Sequence, residues 1–166
     1  MYIQGKILNP GDDLAEALNI RKKVFVEEYT ISYDKEFDLL DELAIHAVAY
    51  EKMSANENSA KSQEKKAVAT GRIFYDGEKC ILDKVSVLKE YRGKEYGDFV
   101  VRLLLNKAFL AGVNEVYADS FVSAEGFFEK IGFIRIDENF IENGIVKCKM
   151  VIKSEHLMKK CCIKNQ

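Results

Sequence analysis

The strongest indication of the fold lies in residues 91–98, which read Tyr91-Arg92-Gly93-Lys94-Glu95-Tyr96-Gly97-Asp98. This segment follows an apolar run over residues 81–88 and precedes a helical pattern over residues 99–111. A strand, a glycine-containing basic loop and a helix in this order direct backbone N–H groups and the positive end of the helix dipole toward one point. The segment is therefore expected to bind a phosphate group.

Two common phosphate-binding loops do not fit this segment. The loop of nucleoside-triphosphate-binding proteins requires Ser or Thr after Gly-Lys, and here Lys94 is followed by Glu95. A dinucleotide fingerprint requires three glycines spaced G-x-G-x-x-G after an early strand. This segment contains only Gly93 and Gly97 and lies past the middle of the chain. Neither a metal-bound triphosphate nor a dinucleotide is indicated.

The composition is that of one reduced, cytoplasmic domain. The 166 residues carry 25 Lys and Arg against 27 Asp and Glu, so no overall field favours nucleic acid or an anionic membrane. The four cysteines lack zinc-ligand spacing, no metal site is expected, and the N-terminus has no signal-peptide pattern. No apolar run approaches the roughly 20 residues that cross a bilayer.

Hydrophobic periodicity and turn residues predict the element order βααβββαβαββ, an α+β (α/β mixed) fold with a mixed, mostly antiparallel sheet flanked by helices. Residues 29–41 are expected to be irregular and residues 52–66 a mobile loop. Asp76-Gly77 predicts a two-residue hairpin turn, and residues 142–144 predict a further turn. We assign residues 1–153 to a single domain and residues 154–166 to a C-terminal tail. Predicted strands cover residues 3–8, 44–50, 67–75, 79–88, 113–120, 133–136 and 145–152, and predicted helices cover residues 12–28, 98–111 and 123–131.

The loop resembles the pyrophosphate loop of the GNAT superfamily of N-acetyltransferases. The signature of that loop is Arg or Gln, two residues, Gly, one residue, then Gly or Ala. Arg92 and Gly97 match its ends, and Glu95 stands at the middle glycine position. Three further stretches are similar to the family: residues 20–46, the strand Val85-Ser86-Val87, and the helix over residues 124–133.

The resemblance implies the GNAT fold, acetyl-CoA as cosubstrate and transfer of an acetyl group to a primary amine of a small molecule or peptide. The strand Val85-Ser86-Val87 would pair with the pantetheine arm. Nucleic acid and membrane partners are not expected, and homodimerisation is left open. The implied cofactor-binding residues are Val85, Ser86, Val87, Arg92, Gly93, Lys94, Glu95, Tyr96, Gly97, Asp98, Phe127 and Phe128.

Three positions outside the loop also depart from the family pattern. Phe128 stands where the family usually has a tyrosine whose hydroxyl protonates the departing thiolate of coenzyme A. The stretch over residues 20–46 resembles one bacterial branch of the superfamily. Phe121 stands where related sequences often have Asn or Gln, and Lys147 stands where that branch often has His. A thiol with a pKa of about 8.5 still leaves as a tolerable thiolate near neutral pH, so the missing hydroxyl does not abolish the chemistry.

Two residues are candidate catalytic bases. Asp83 has the same strand parity as Val85 and Val87, so it would face the cleft and accept the amine proton; the alternative is a solvated strand carboxylate. His46 lies on an alternating strand and is either a base or a hydrogen-bonded structural histidine.

Each of the remaining charged groups has two possible roles. The acidic residues between Glu36 and Glu42 either attract a cationic amine or form a solvated loop face. Arg72 either reaches an anionic part of the substrate or forms a surface ion pair. At the level of the whole chain, the alternatives to an N-acetyltransferase are a non-catalytic acyl-CoA-binding module and an interaction domain that binds no cofactor.

Overall fold

The computed structural model describes residues 3–52 and 65–157. Among these residues, no helix is long and apolar enough to cross a membrane. The strands are β1 (Gln4–Leu8), β2 (Ile45–Lys52), β3 (Lys65–Asp76), β4 (Lys79–Val87), β5 (Glu115–Phe121), β6 (Ile134–Arg135), β7 (Phe140–Glu142) and β8 (Ile145–Lys153). The α-helices are α1 (Ala15–Arg21), α2 (Tyr33–Glu36), α3 (Leu40–Leu43), α4 (Tyr96–Leu110) and α5 (Glu125–Ile131).

The strands form one mixed, mostly antiparallel sheet in the order β1-β2-β3-β4-β5-β8-β6, with β7 also pairing with β8. Only β4 and β5 run parallel among the paired strands of the described chain. The predicted fold class is therefore confirmed. The strands β2, β3 and β4 are consecutive in the chain and pair antiparallel with one another, which gives the central meander. The strand β5 follows helix α4, and this helical crossover allows β5 to run parallel to β4.

Helices cover both faces of the sheet, so the central strands are buried on both sides. Along β2, Ala47 and Ala49 contribute to the core beneath α4 and α5, whereas Val48 and Tyr50 pack toward α1. This alternation follows from the two-residue period of a strand. Helix α1 continues as a π-helix over Lys22–Glu28, and together they bury the predicted apolar stripe that includes Ala17 and Val24.

Residues 29–41 are more regular than predicted, because they contain the short helix α2 and the start of α3. Of the two interpretations of the acidic residues, the solvated loop face does not hold for Glu36 and Asp41, which are buried. Both carboxylates accept hydrogen bonds from the guanidinium group of Arg21, which is itself fully buried. Because the charge of Arg21 is buried, the carboxylates that pair with it must be buried as well.

Turn residues define the hairpins to within one position. The β3–β4 turn consists of Gly77 and Glu78, one residue later than predicted, because Asp76 still pairs with Lys79. The turn after β7 places Asn143 and Gly144 at positive φ, which creates the short strand β7 that the sequence pattern did not indicate. Most of the predicted loop over residues 52–66, and the end of the predicted tail, lie outside the described residues.

Candidate active site

The parallel pair β4–β5 separates beside the predicted phosphate loop. The two strands pair from Cys80 with Val116 to Leu82 with Ala118 and no further, although β4 continues to Val87 and β5 to Phe121. Beyond Leu82, β4 pairs only with β3. The divergence opens a gap in the middle of the sheet, directly before the loop that leads into α4.

A bulge in β4 sets which groups face this gap. Lys84 has φ +53°, and the β3–β4 register shifts between Arg72 and Thr70. Asp83 therefore pairs with Arg72 on the α1 face, whereas Val85 and Val87 pack against the core beneath α4. The predicted common parity of Asp83 with Val85 and Val87 is wrong, because the sequence pattern did not indicate a left-handed conformation at Lys84.

The amide of Val87 points toward the gap. The next amide, that of Leu88, donates to the carbonyl oxygen of Val68 in β3 at 2.9 Å. Because successive amides of a strand point to opposite sides, the Val87 N–H is directed away from β3 and toward the space left by β5. This is the direction required for a backbone donor to an acyl-thioester carbonyl.

The phosphate loop lies at one end of the gap and lines a cavity of about 440 Å³. Two residues of the loop take left-handed conformations, Gly93 with φ +75° and Glu95 with φ +66°, and α4 begins directly after Glu95. Lys94 lies above the ring of Tyr91, with 5.1 Å between its ammonium nitrogen and the ring centroid. The residues that line the cavity are Val87, Tyr91, Arg92, Gly93, Glu95, Tyr96, Gly97, Asp98, Phe127 and Lys130.

Gly97 allows the first turn of α4 to approach β4 and α5 closely. A methyl group at this position would lie 3.2 Å from Val87 Cγ2 and 3.3 Å from Phe127 Cζ. Both distances are tighter than ordinary van der Waals contact. Asp98, in the same turn, accepts a hydrogen bond of 2.7 Å from Arg102 and lies near the helix N-terminus.

The guanidinium group of Arg92 is already engaged. It donates two hydrogen bonds to the Glu28 carboxylate, at the end of the π-helix, and its Nε donates to the carbonyl oxygen of Val87 at 3.1 Å. The hydrogen bond from Arg92 holds the pKa of Glu28 below its usual value, although partial loss of hydration opposes this shift. Arg92 thus connects the loop, β4 and the first helical segment.

Two consecutive aromatic residues of α5 separate the loop cavity from a second one. Phe127 lines the loop cavity, whereas Phe128 lines a second cavity of about 320 Å³ whose wall includes residues of both β4 and β5. Phe128 is buried and packs edge-on against Phe127 and Phe133, with centroid distances of 5.0 and 5.3 Å. Val85 also lines the second cavity.

Four of the five carboxylates that line the second cavity are already paired with cations. Asp83 accepts hydrogen bonds of 2.7 and 3.0 Å from Arg72, and Asp38 accepts 2.7 and 3.0 Å bonds from the same group. Arg72 is 1% exposed, so the predicted surface ion pair is a buried one. The remaining two pairs are Glu36 with Lys84 and Glu142 with Lys147.

Asp119 is the fifth carboxylate, and the sequence-based search for a base did not select it. It lies on β5 directly after Ala118, the last residue that pairs with β4. Val116 and Ala118 belong to the core beneath α4, so alternation places Asp119 on the opposite face of the sheet, the face of Asp83. The alternation of side chains along β5 is the sequence feature that could have identified Asp119 as a residue facing the cavity.

The structure does not bring His46 to either cavity. Its side chain is fully buried, and Nε2 lies 3.0 Å from the backbone carbonyl oxygen of Asp41. Burial lowers the pKa of His46, although the Asp41 carbonyl and charge oppose this shift. The surroundings of His46 correspond to the structural alternative considered from the sequence.

Cys80 is buried in the core, where the low polarity raises the pKa of its thiol to about 11. A thiol in this state is a poor nucleophile near neutral pH. Attack by a cysteine is thus not favoured at this position.

The architecture is that of the GNAT acetyltransferases. A protein from Lactobacillus plantarum superposes with a TM-score of 0.76 at 23% identity, and the alignment covers 91% of this chain and 97% of that protein. The NatC complex, whose structure holds a Gag peptide and CoA, superposes with a TM-score of 0.65 at 19% identity over 92% of this chain and 99% of the NatC chain. These likenesses establish the fold.

Sequence similarity defines the family. The family model described as "Acetyltransferase (GNAT) domain" matches residues 30–154. The Bacillus subtilis (strain 168) protein YyaT is 32% identical over 137 residues, which are 80% of this chain and 84% of YyaT. The chain belongs to the GNAT acetyltransferase family, whose acyl donor is acetyl-CoA.

Proposed function

We propose that this protein is an N-acetyltransferase that transfers the acetyl group of acetyl-CoA to a primary amine of a small molecule or peptide by direct attack. The observation that carries the proposal is the divergence of β4 and β5 after Leu82 and Ala118, beside the loop of residues 91–98. This gap has a cavity on each side, one for the donor and one for the acceptor.

In this proposal, the diphosphate of acetyl-CoA binds to the amides of the loop and the N-terminus of α4. The pantetheine arm runs along Val85-Ser86-Val87 and replaces the missing β5 partner. The thioester then lies between Phe127 and Phe128, where the two cavities approach each other. The Val87 amide stabilises the negative charge that develops on the carbonyl oxygen during attack.

The chain supplies positioning and electrostatics, since the acceptor amine is itself the nucleophile. We assign Asp83 to holding Arg72 rather than to proton transfer, because both of its oxygens accept hydrogen bonds from that guanidinium group. With Phe128 in place of a tyrosine, water protonates the departing thiolate.

One observation favours a second candidate, a non-catalytic acyl-CoA-binding module. Phe128 is buried against Phe127 and Phe133 and offers no proton donor at the leaving group. A module of this kind would bind acetyl-CoA and release no thiol.

A thiol-release screen separates the two candidates. Acetyl-CoA is incubated with the protein and with amino sugars, polyamines, amino acids, monoamines or peptides, with a cofactor-only control, and acetylated products are identified by mass spectrometry. The proposal expects amine-dependent thiol release. A thermal shift with CoA but no release across the panel would support the module, and absence of both would refute cofactor binding.

A further inference from the structure

The acceptor-side cavity contains one carboxylate without a hydrogen bond or ion pair to any described residue, and this is Asp119. Each of the other carboxylates of the cavity wall forms an ion pair with an arginine or a lysine, and Asp38 and Asp83 share the single guanidinium group of Arg72. A cationic ligand that enters the cavity therefore finds a single negative group whose hydrogen-bonding capacity is unused.

The position of Asp119 in the sheet places it near the proposed thioester position. It follows Ala118 at the point where β5 leaves β4, and it shares its cavity with Val85 and Phe128, which flank the proposed thioester position. Phe121, two residues further on the same face of β5, packs against Phe25 of the π-helix and closes that side of the cavity.

We propose that Asp119 binds the ammonium group of the acceptor and takes its proton before the amine attacks acetyl-CoA. This inference rests on the proposed function. It goes further because it names the group that takes the proton, and because it restricts the class of amine that receives the acetyl group.

The proton balance of the step is complete with the groups present. The ammonium ion gives one proton to the Asp119 carboxylate, and the lone pair that remains on nitrogen forms the new C–N bond. The C–S bond then breaks, its electron pair leaves with sulfur, and the second amine proton passes to the thiolate through water. Asp119 afterwards releases its proton to solvent. The net products are an amide, free coenzyme A and one proton.

The charges around Asp119 come from three strands. Lys149 and Lys147 lie on β8, Glu142 on β7 and Asp83 on β4. The Asp119 side chain is exposed to solvent, and the partial loss of hydration on the cavity wall raises its pKa; the two lysines oppose the shift, and the two carboxylates add to it. A carboxylate with a raised pKa is better matched to take a proton from an amine than an ordinary aspartate.

The cavity wall also restricts the acceptor. Apolar side chains, among them Phe121, Phe128 and Ile145, line the cavity next to Asp119, and the ammonium groups of Lys147 and Lys149 act on the same region. A second positive charge on the acceptor would meet Lys149, since the charge of Lys147 is paired with Glu142, and it would lose hydration against the apolar side chains. The acceptor is therefore a primary monoamine with an apolar body, such as an aralkylamine, rather than a polyamine.

The test compares the Asp119→Asn variant with wild type, using phenethylamine as the acceptor and spermidine as the comparison. The Asp76→Asn variant is the matched control, because Asp76 is an exposed aspartate at the far hairpin. At pH 7 we expect Asp119→Asn to lower kcat/KM for phenethylamine by about 100-fold, with unchanged CoA affinity. We expect Asp76→Asn to behave as wild type and spermidine to be the poorer substrate.

The pH profile distinguishes proton transfer from a structural effect. Without a base, the rate follows the neutral amine fraction, so the deficit of Asp119→Asn is expected to shrink about tenfold per pH unit below the amine pKa. A parallel profile, or kcat/KM equal to wild type, would overturn the inference while amine-dependent turnover by the wild type upheld the proposed function. If the wild type shows no turnover, calorimetric titration of phenethylamine into the CoA-bound protein decides. Binding that weakens at least tenfold in Asp119→Asn supports ammonium recognition, and unchanged or absent binding overturns it.

Discussion

Arg92 of the phosphate loop donates two hydrogen bonds, of 2.7 and 2.6 Å, to the carboxylate of Glu28. The residue that would meet the diphosphate is thus already paired with an anion from the first helical segment. A diphosphate that approaches the loop competes with Glu28 for the guanidinium group and is repelled by the Glu28 charge.

The Glu28→Gln variant is therefore expected to bind CoA about three- to tenfold more tightly at low salt, because it removes a negative charge near the phosphate and leaves Arg92 available. Isothermal titration at about 0.05 M and about 0.5 M salt measures the effect, which should shrink as salt screens the charges. The neighbouring Glu27→Gln variant removes the same charge without touching Arg92. Weaker binding in Glu28→Gln would show instead that the pair holds the loop in its binding conformation.

The closest packing in the phosphate cavity gives a steric prediction. At Gly97 a side chain would enter the space between Val87 and Phe127, whereas the helical Gly126 of α5 has no atom within 4 Å of the place a methyl group would occupy. We expect Gly97→Trp to weaken CoA binding at least tenfold and Gly126→Trp to leave it unchanged. Circular dichroism checks that both variants are folded. A folded Gly97→Trp protein with wild-type CoA affinity would contradict the assignment of this cavity to the cofactor.

The element order and the position of the loop between β4 and α4 were accessible from the sequence because both depend on local signals. Hydrophobic periodicity defined the strands, and Gly93 and Gly97 marked the turn into α4. The bulge in β4 was not accessible, because it places a lysine, Lys84, in the left-handed region that favours glycine. Without the bulge, Asp83 was assigned the same strand parity as Val85 and Val87.

The buried ion pairs could not be predicted from the sequence, for a different reason. Arg72 lies 31 residues from Asp41 in the chain, and only the folded sheet brings them within 2.6 Å. A partial signal existed at Arg21, which falls on the apolar stripe of the first helix. A buried arginine requires buried anionic partners, so its position predicted a network without identifying its members.

Glu95 gives a prediction about stability. Its φ of +66° strains a residue with a side chain, and it stands where the family loop has glycine. The Glu95→Gly variant is expected to raise the free energy of unfolding by about 0.5–1 kcal/mol, since relief of strain exceeds the added chain entropy. Urea denaturation measures the change. Lys94→Gly, which relieves no positive φ, should lower stability by a similar amount, and equal effects of the two substitutions would contradict the strain argument.

The buried network gives a prediction about pH. Asp41 contacts both Arg21 and Arg72, which are at most 1% exposed. Burial alone would raise the pKa of Asp41, but hydrogen bonds and charges from the two arginines outweigh it and hold the pKa below the usual value. A depressed folded-state pKa means that protonation favours the unfolded chain. The stabilisation is therefore complete above the unfolded-state pKa of about 3.9 and is lost as the pH falls through the folded-state value.

The Asp41→Asn variant is expected to lower the free energy of unfolding at pH 7 by about 3–5 kcal/mol, because it leaves two buried guanidinium groups short of one counter-charge. Its stability should also fall less steeply than that of wild type between about pH 5 and pH 2, since one titrating group has been removed. Urea unfolding across this range measures both effects. The exposed Asp34→Asn substitution on α2 is the control and should reproduce the wild-type slope. If the stability of Asp41→Asn fell with pH as steeply as that of wild type, other groups would cause the loss of stability in acid, and titration of Asp41 would not contribute to it.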